Sequence, residues 1–127
     1  MIQKKLLAPQ RLRKVPAQFS WLDQRLIRQR RLRDCEPPAW ALYLFLCAVG
    51  DERGLSYYSD ASLCRELRID VPTLAQARQQ LLQAEVVAYE KPLWQLLALD
   101  APAERTGSTR SMAEVLRAVF KGEGGAP

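Results

Sequence analysis

The stretch LCRELRIDVPTLAQARQQLL, Leu63 to Leu82, constrains the fold more than any other part of this chain. Leu63 and Leu67 stand one helical turn apart, with Ala61 and Cys64 beside them. Leu74, Ala77 and Leu81, supported by Leu82, mark a second stripe of the same period. RIDV interrupts both stripes. Asp70 is a natural N-cap, and Pro72 falls in the first turn of the next segment, where its missing N–H goes unmissed. Ser59-Asp60 offers the same kind of start to the first segment. The spacing therefore predicts two short helices around a tight polar corner, the second running from Val71 to Ala84.

The flanking segments extend this reading. Pro38 is placed to open a helix reaching about Val49, in which Trp40, Tyr43, Leu44 and Cys47 form an i, i+3, i+4, i+7 stripe. Leu42, Phe45, Leu46 and Val49 fill much of the remaining circumference, so this helix should be central. Leu55 to Tyr58 is strand-forming but short. Val86 to Tyr89 and Leu93 to Leu99 read as two strands around a tight EKP connection, in which Pro92 suits the turn because it has no donor for a ladder.

Upstream, residues 1–18 hold two prolines and five basic residues without sustained periodicity, and read as a basic arm. SWLDQRLIRQRRLRD then looks helical, with Ser20 as N-cap and Asp23 three residues later. Downstream of a domain spanning 19–100, residues 101–110 are rich in Pro, Gly, Ser and Thr and read as a linker. Residues 111–127 hold a last amphipathic helix and a tail. Ser111 and Glu114 form a capping box, and Met112, Val115, Leu116, Val119 and Phe120 supply one apolar face for a protein contact, on its own domain, on a second copy or on another protein.

From Pro38 onward the order is helix, short strand, helix, helix, strand, turn, strand. On YYSDASLCRELRIDVPTLAQARQQLLQAEVVAYEKPLWQLLAL the chain resembles the winged helix-turn-helix superfamily, of the kind found in small bacterial regulators and in replication or mobile-element modules. The resemblance implies a mainly α fold with a small β-wing, here carrying an extra N-terminal basic helix and a C-terminal amphipathic helix. Two positions depart from the pattern. Glu85 stands where glycine usually allows a left-handed helix stop. Arg78 stands where an apolar residue is common, and three roles are open to it: snorkelling along the core, pairing with an acid, or facing phosphate.

The charge distribution narrows the partner. Residues 1–33 carry ten Lys or Arg against the single acid Asp23, a net +9, while the whole chain carries +5, leaving −4 on residues 34–127. A basic first quarter on a mildly acidic body suits a polyanion. The expected partner is double-stranded DNA, with RNA as the runner-up. The 71–84 helix presents Thr73, Gln76, Gln79 and Gln80 as base-reading candidates, since glutamine can pair bidentately with adenine and threonine can touch a thymine methyl. That helix is poor in Lys and Arg. Phosphate contacts would then fall to Arg25, Arg28, Arg30, Arg31, Arg33, Arg65, Arg68 and Lys91, with Arg11, Arg13 and Lys14 reaching an adjacent minor groove.

Other classes fit poorly. The chain has no histidine, no P-loop and no GxGxxG, so no catalytic residues are expected. Cys35, Cys47 and Cys64 are too few and too scattered for a zinc site or a disulfide framework, which leaves neither metal nor cofactor expected and points to a reducing cytoplasm. The most apolar run, Ala39 to Val49, falls short of the roughly 18 residues of a membrane span. No apolar leader follows Lys4 and Lys5, so no signal peptide is expected. The reading is a non-enzymatic DNA-binding protein, a transcription regulator or an accessory factor of a replication or transposition module. The alternatives are a protein-interaction adaptor on the same fold, or an RNA-binding component of a ribonucleoprotein.

Overall fold

The computed structural model describes residues 3–100, and the first of the chain's two units ends at Leu97. Within that unit the elements run α1 (Arg25–Arg28), α2 (Pro37–Val49), β1 (Leu55–Tyr57), α3 (Asp60–Leu67), α4 (Val71–Gln83), β2 (Val87–Glu90) and β3 (Leu93–Leu96), preceded by a single 3-10 turn at Pro9–Arg11. The architecture is a set of helices with one small antiparallel sheet of order β1-β3-β2. The C-terminal segment with Met112, Val115, Leu116, Val119 and Phe120 lies outside the described residues. Among the described residues, no helix is long and apolar enough to cross a membrane.

Local chemistry sets the two helix starts at the corner. The Ser59 hydroxyl accepts the N–H of Ser62 at 3.1 Å and opens α3. Asp70 accepts the N–H of Thr73 at 2.9 Å and opens α4, with Pro72 in its first turn. Only Arg68, Ile69 and Asp70 separate the two helices. Leu63 from α3 and Leu74, Ala77 and Leu81 from α4 are buried.

Three helices end alike, each on a non-glycine residue with positive φ: Arg30 at 53°, Arg68 at 59° and Glu85 at 62°. After α4 the N–H of Val86 donates to Leu81 O and that of Glu85 to Leu82 O, which is the Schellman pattern. The pattern brings buried Val86 over buried Leu81 and turns the chain into β2. Glu85 thus adopts the left-handed conformation that glycine would take.

The same device shortens the first helix. Where the sequence predicts helix through 20–34, α1 is a single turn. Arg30 donates to Ile27 O and Arg31 to Leu26 O, closing the helix at Gln29. The reason is burial. Leu26 and Leu32 are both core residues, yet six residues along a straight helix, at about 100° each, would set them some 120° apart. Breaking the helix between them lets both face inward. Ser20 does not cap α1 either: its hydroxyl donates to Ala48 O at 3.3 Å, while Asp23 accepts the N–H of Arg25 at 2.9 Å.

In α2 the buried residues are Ala39, Leu42, Tyr43, Leu46 and Cys47. The stripe is rotated from the one expected through Trp40 and Leu44. Both of those remain exposed, Leu44 at 61%. A helix apolar on nearly all sides does not announce which side faces inward, and packing on α4 and α3 decides it. The hairpin β2–β3 pairs Val87 with Leu96 and Glu90 with Leu93, so its turn is Lys91-Pro92. The last strand ends at Leu96 rather than Leu99; there its N–H donates to Gly54 O. Gly54 has φ of 80°, and a Cβ on it would sit 3.2 Å from that of Leu96, so glycine is required at this approach.

Candidate nucleic-acid interface

Helix α4 is held by three different surroundings. At about 100° per residue, Leu74, Ala77 and Leu81 occupy its inward arc and are buried. Gln80 lies on one edge. Its Oε1 accepts the N–H of Glu36 at 2.8 Å, and its backbone carbonyl accepts from Cys35 Sγ at 3.7 Å. The chain at Cys35 and Glu36 is thereby fixed along that edge. Burial pushes the Cys35 thiol up, with the Asp34 carboxylate adding to the shift. Arg78 lies on the opposite edge. Its guanidinium forms a fork with Asp60, Nη1 to Oδ1 at 2.8 Å and Nη2 to Oδ2 at 3.3 Å. It also stacks over Tyr89, 4.7 Å from the ring centroid, with Trp94 at 5.9 Å. Of the roles left open for Arg78, this is the pairing with an acid, and it ties the first turn of α3 and the hairpin to α4.

Between these edges lies an exposed arc of Pro72, Ala75, Gln76, Gln79 and Gln83. No hydrogen bond within the described residues uses the side chains of the three glutamines. The four base-reading candidates therefore divide. Gln76 and Gln79 stand on the open arc, and Gln83, not among the four, joins them. Thr73 is half-buried at the edge, its backbone N–H held by Asp70. Gln80 is turned away from the arc and engaged with the start of α2, so the expectation that it lies on the reading face is corrected. The helical period sets Gln80 about 40° nearer the buried arc than Gln76, and the segment before α2 occupies that side.

The cations fall into groups. Arg25 is half-buried and clasps Asp23, with Nη2 to Oδ2 at 2.7 Å; its guanidinium and N–H hold the Asp23 carboxyl below the usual range. This pairing makes it a weaker candidate for phosphate than its neighbours. Arg28 donates to Gln24 and Arg31 to Gln29, Arg33 stands 3.9 Å from Asp34, and Arg65 donates to Ser62. Arg30 and Arg68 are exposed at the left-handed helix ends, and Lys91 is exposed at the hairpin turn. Arg11, Arg13 and Lys14 lie on an arm whose residues from Gln3 to Leu22 are all exposed. The structure joins Cys35 and Glu36, just after the basic segment, to α4 through Gln80. Among the described residues no cluster of His, Cys, Asp and Glu suits a metal ion. Comparison with family models, with curated proteins and with solved structures finds no match for this chain.

Proposed function

We propose that this chain is a cytoplasmic, non-enzymatic DNA-binding protein of winged-helix type, acting as a transcription regulator or as an accessory factor of a replication or transposition module. The observation that carries the reading is the open arc of α4. Gln76, Gln79 and Gln83 project from a rigid, capped helix flanked by the 33–36 segment and by the hairpin. A major groove about 12 Å wide admits one such helix, and glutamine reads adenine through paired hydrogen bonds. The three-residue corner, the hairpin that follows α4 and the pairing of β1 on the far side of β3 support the winged-helix reading. In this proposal Gln80 and Thr73 leave the reading set. Arg28, Arg30, Arg31, Arg33, Arg65, Arg68 and Lys91 hold phosphates, and Arg11, Arg13 and Lys14 follow the minor groove.

The test is a salt series of duplex binding by fluorescence anisotropy, followed by selection of preferred sequences. Seven phosphate contacts give a log–log slope of about −6.3. Replacing Arg28 and Arg33 by Ala should lower affinity for selected and random duplex alike and flatten the slope by about 2. Replacing Gln76 and Gln79 by Ala should instead erode the preference for selected sites and leave the slope unchanged. Absence of duplex affinity at low salt, or displacement of duplex by structured RNA at equal concentration, refutes the proposal.

A further inference from the structure

The outward side of α2 faces the α1 region across an apolar groove of about 230 Å³. Its floor is Leu26 and Leu32, both fully buried, and its rims are Leu22 and Ile27 on one side and Trp40 and Leu44 on the other. The four rim residues are 38% to 61% exposed. Isolated exposed apolar side chains are ordinary, but a concave set around a buried floor marks a binding surface.

The charge around the groove is one-sided. The segment from residue 22 to 36 carries Arg25, Arg28, Arg30, Arg31 and Arg33 against Asp23, Asp34 and Glu36, a net +2. Asp23 is itself clasped by Arg25. The opposite wall, Pro37 to Val49, contributes no charge. We infer that this groove receives an amphipathic helix of a partner protein, with apolar anchors seated between Ile27 and Leu44 and carboxylates toward the arginines that alternate in sequence with Leu26, Ile27 and Leu32. Apolar anchors at i, i+3, i+4 and i+7 are the usual occupants of such a groove. Trp, here Trp40 on the rim, is among the side chains that most often dominate binding energy at interfaces. A second copy fits poorly, because a two-fold contact places the same patch on both sides and sets arginine against arginine. A lipid surface fits poorly too, since a concave slot presents its apolar floor away from a flat bilayer. The apolar groove is separate from the α4 arc, but its neighbouring arginines are those assigned to phosphates, so duplex and partner helix would compete for them.

The experiment uses the full chain and labelled synthetic helical peptides about four turns long. One carries Leu and Phe anchors with flanking Glu, a second has Lys in place of each Glu, and a third has the anchors changed to Ser. The Glu peptide should bind at least about tenfold more tightly than either other peptide. Leu44→Glu, at an exposed position, should abolish that binding while circular dichroism stays unchanged. The pair Arg28→Glu and Arg30→Glu should reverse the preference between the Glu and Lys peptides, a readout that misfolding would not produce. Four results would overturn the inference: no binding of the Glu peptide at ~1 mM, equal binding of the Glu and Lys peptides, self-association abolished by Leu44→Glu, or tighter capture by phosphatidylserine-containing vesicles than by the peptide.

Discussion

Removal of Arg78 tests the joint between α3, α4 and the hairpin. Its side chain is 17% exposed and that of Asp60 is 36% exposed. A fully exposed pair contributes about 0.2–1 kcal/mol, and removing one partner of a fully buried pair costs about 3–5 kcal/mol. The fork lies between these limits and nearer the lower one on the Asp60 side. The stack on Tyr89 adds about 1 kcal/mol. Arg78→Ala should therefore destabilise the chain by about 2–3 kcal/mol, lowering Tm by roughly 10–20 °C for a unit of this size. Asp60→Ala should cost about 1–2 kcal/mol, because it strands a mostly covered guanidinium that keeps its aromatic contact. Ser59, not Asp60, is the N-cap of α3, so the second variant leaves the cap intact. In a double-mutant cycle read by urea denaturation, the two changes should couple by about 1–2 kcal/mol. Asp60→Ala with Arg78→Leu should recover most of the loss, since an apolar side chain over Tyr89 needs no partner. Additive losses within about 0.5 kcal/mol would refute the claim that the fork locks these elements.

Two further outcomes test the helix ends. Glu85→Gly should be more stable than Glu85→Ala by about 0.5–1 kcal/mol in the same denaturation assay: both lose the carboxylate, but only glycine is relieved of the left-handed penalty of about 1–2 kcal/mol, less its own entropy cost. For Asp70, the Thr73 side chain and backbone N–H stabilise the carboxylate and hold its pKa below the usual range. A depressed folded pKa stabilises the fold above the ordinary aspartate value near 3.9 and ceases to do so as pH falls through the folded value. Asp70→Asn keeps a capping oxygen without a titrating group, so its stability should fall less steeply than that of the parent chain between about pH 5 and pH 2; identical acid limbs would refute the role of the ionised cap.

The candidate site was partly legible from residue order. Gln76 and Gln79 were readable as polar positions on a helix whose apolar stripe was clear, and the chain places them on the open arc. That Gln80 is occupied was not readable, because its partner Glu36 is far away in sequence. The acidic partner of Arg78 was not identifiable either, since nothing local links position 78 to Asp60 rather than to any other carboxylate. The apolar groove left a faint sign in α2, which has more large apolar residues than one inward stripe can use.

The sequence by itself determined the order of elements, the caps at Ser59 and Asp70 and the turn at Lys91-Pro92. Each depends on groups within about one helical turn or one hairpin of one another, and such interactions act on the chain wherever it lies. Tertiary structure alone decided which side of α2 is buried, where α1 stops, which glutamine of α4 is occupied and which acid Arg78 grasps. Those outcomes depend on surfaces brought together from distant segments. Leu26 and Leu32 face the core together only because the chain breaks at Arg30, and that break is favoured only once there is a core to face.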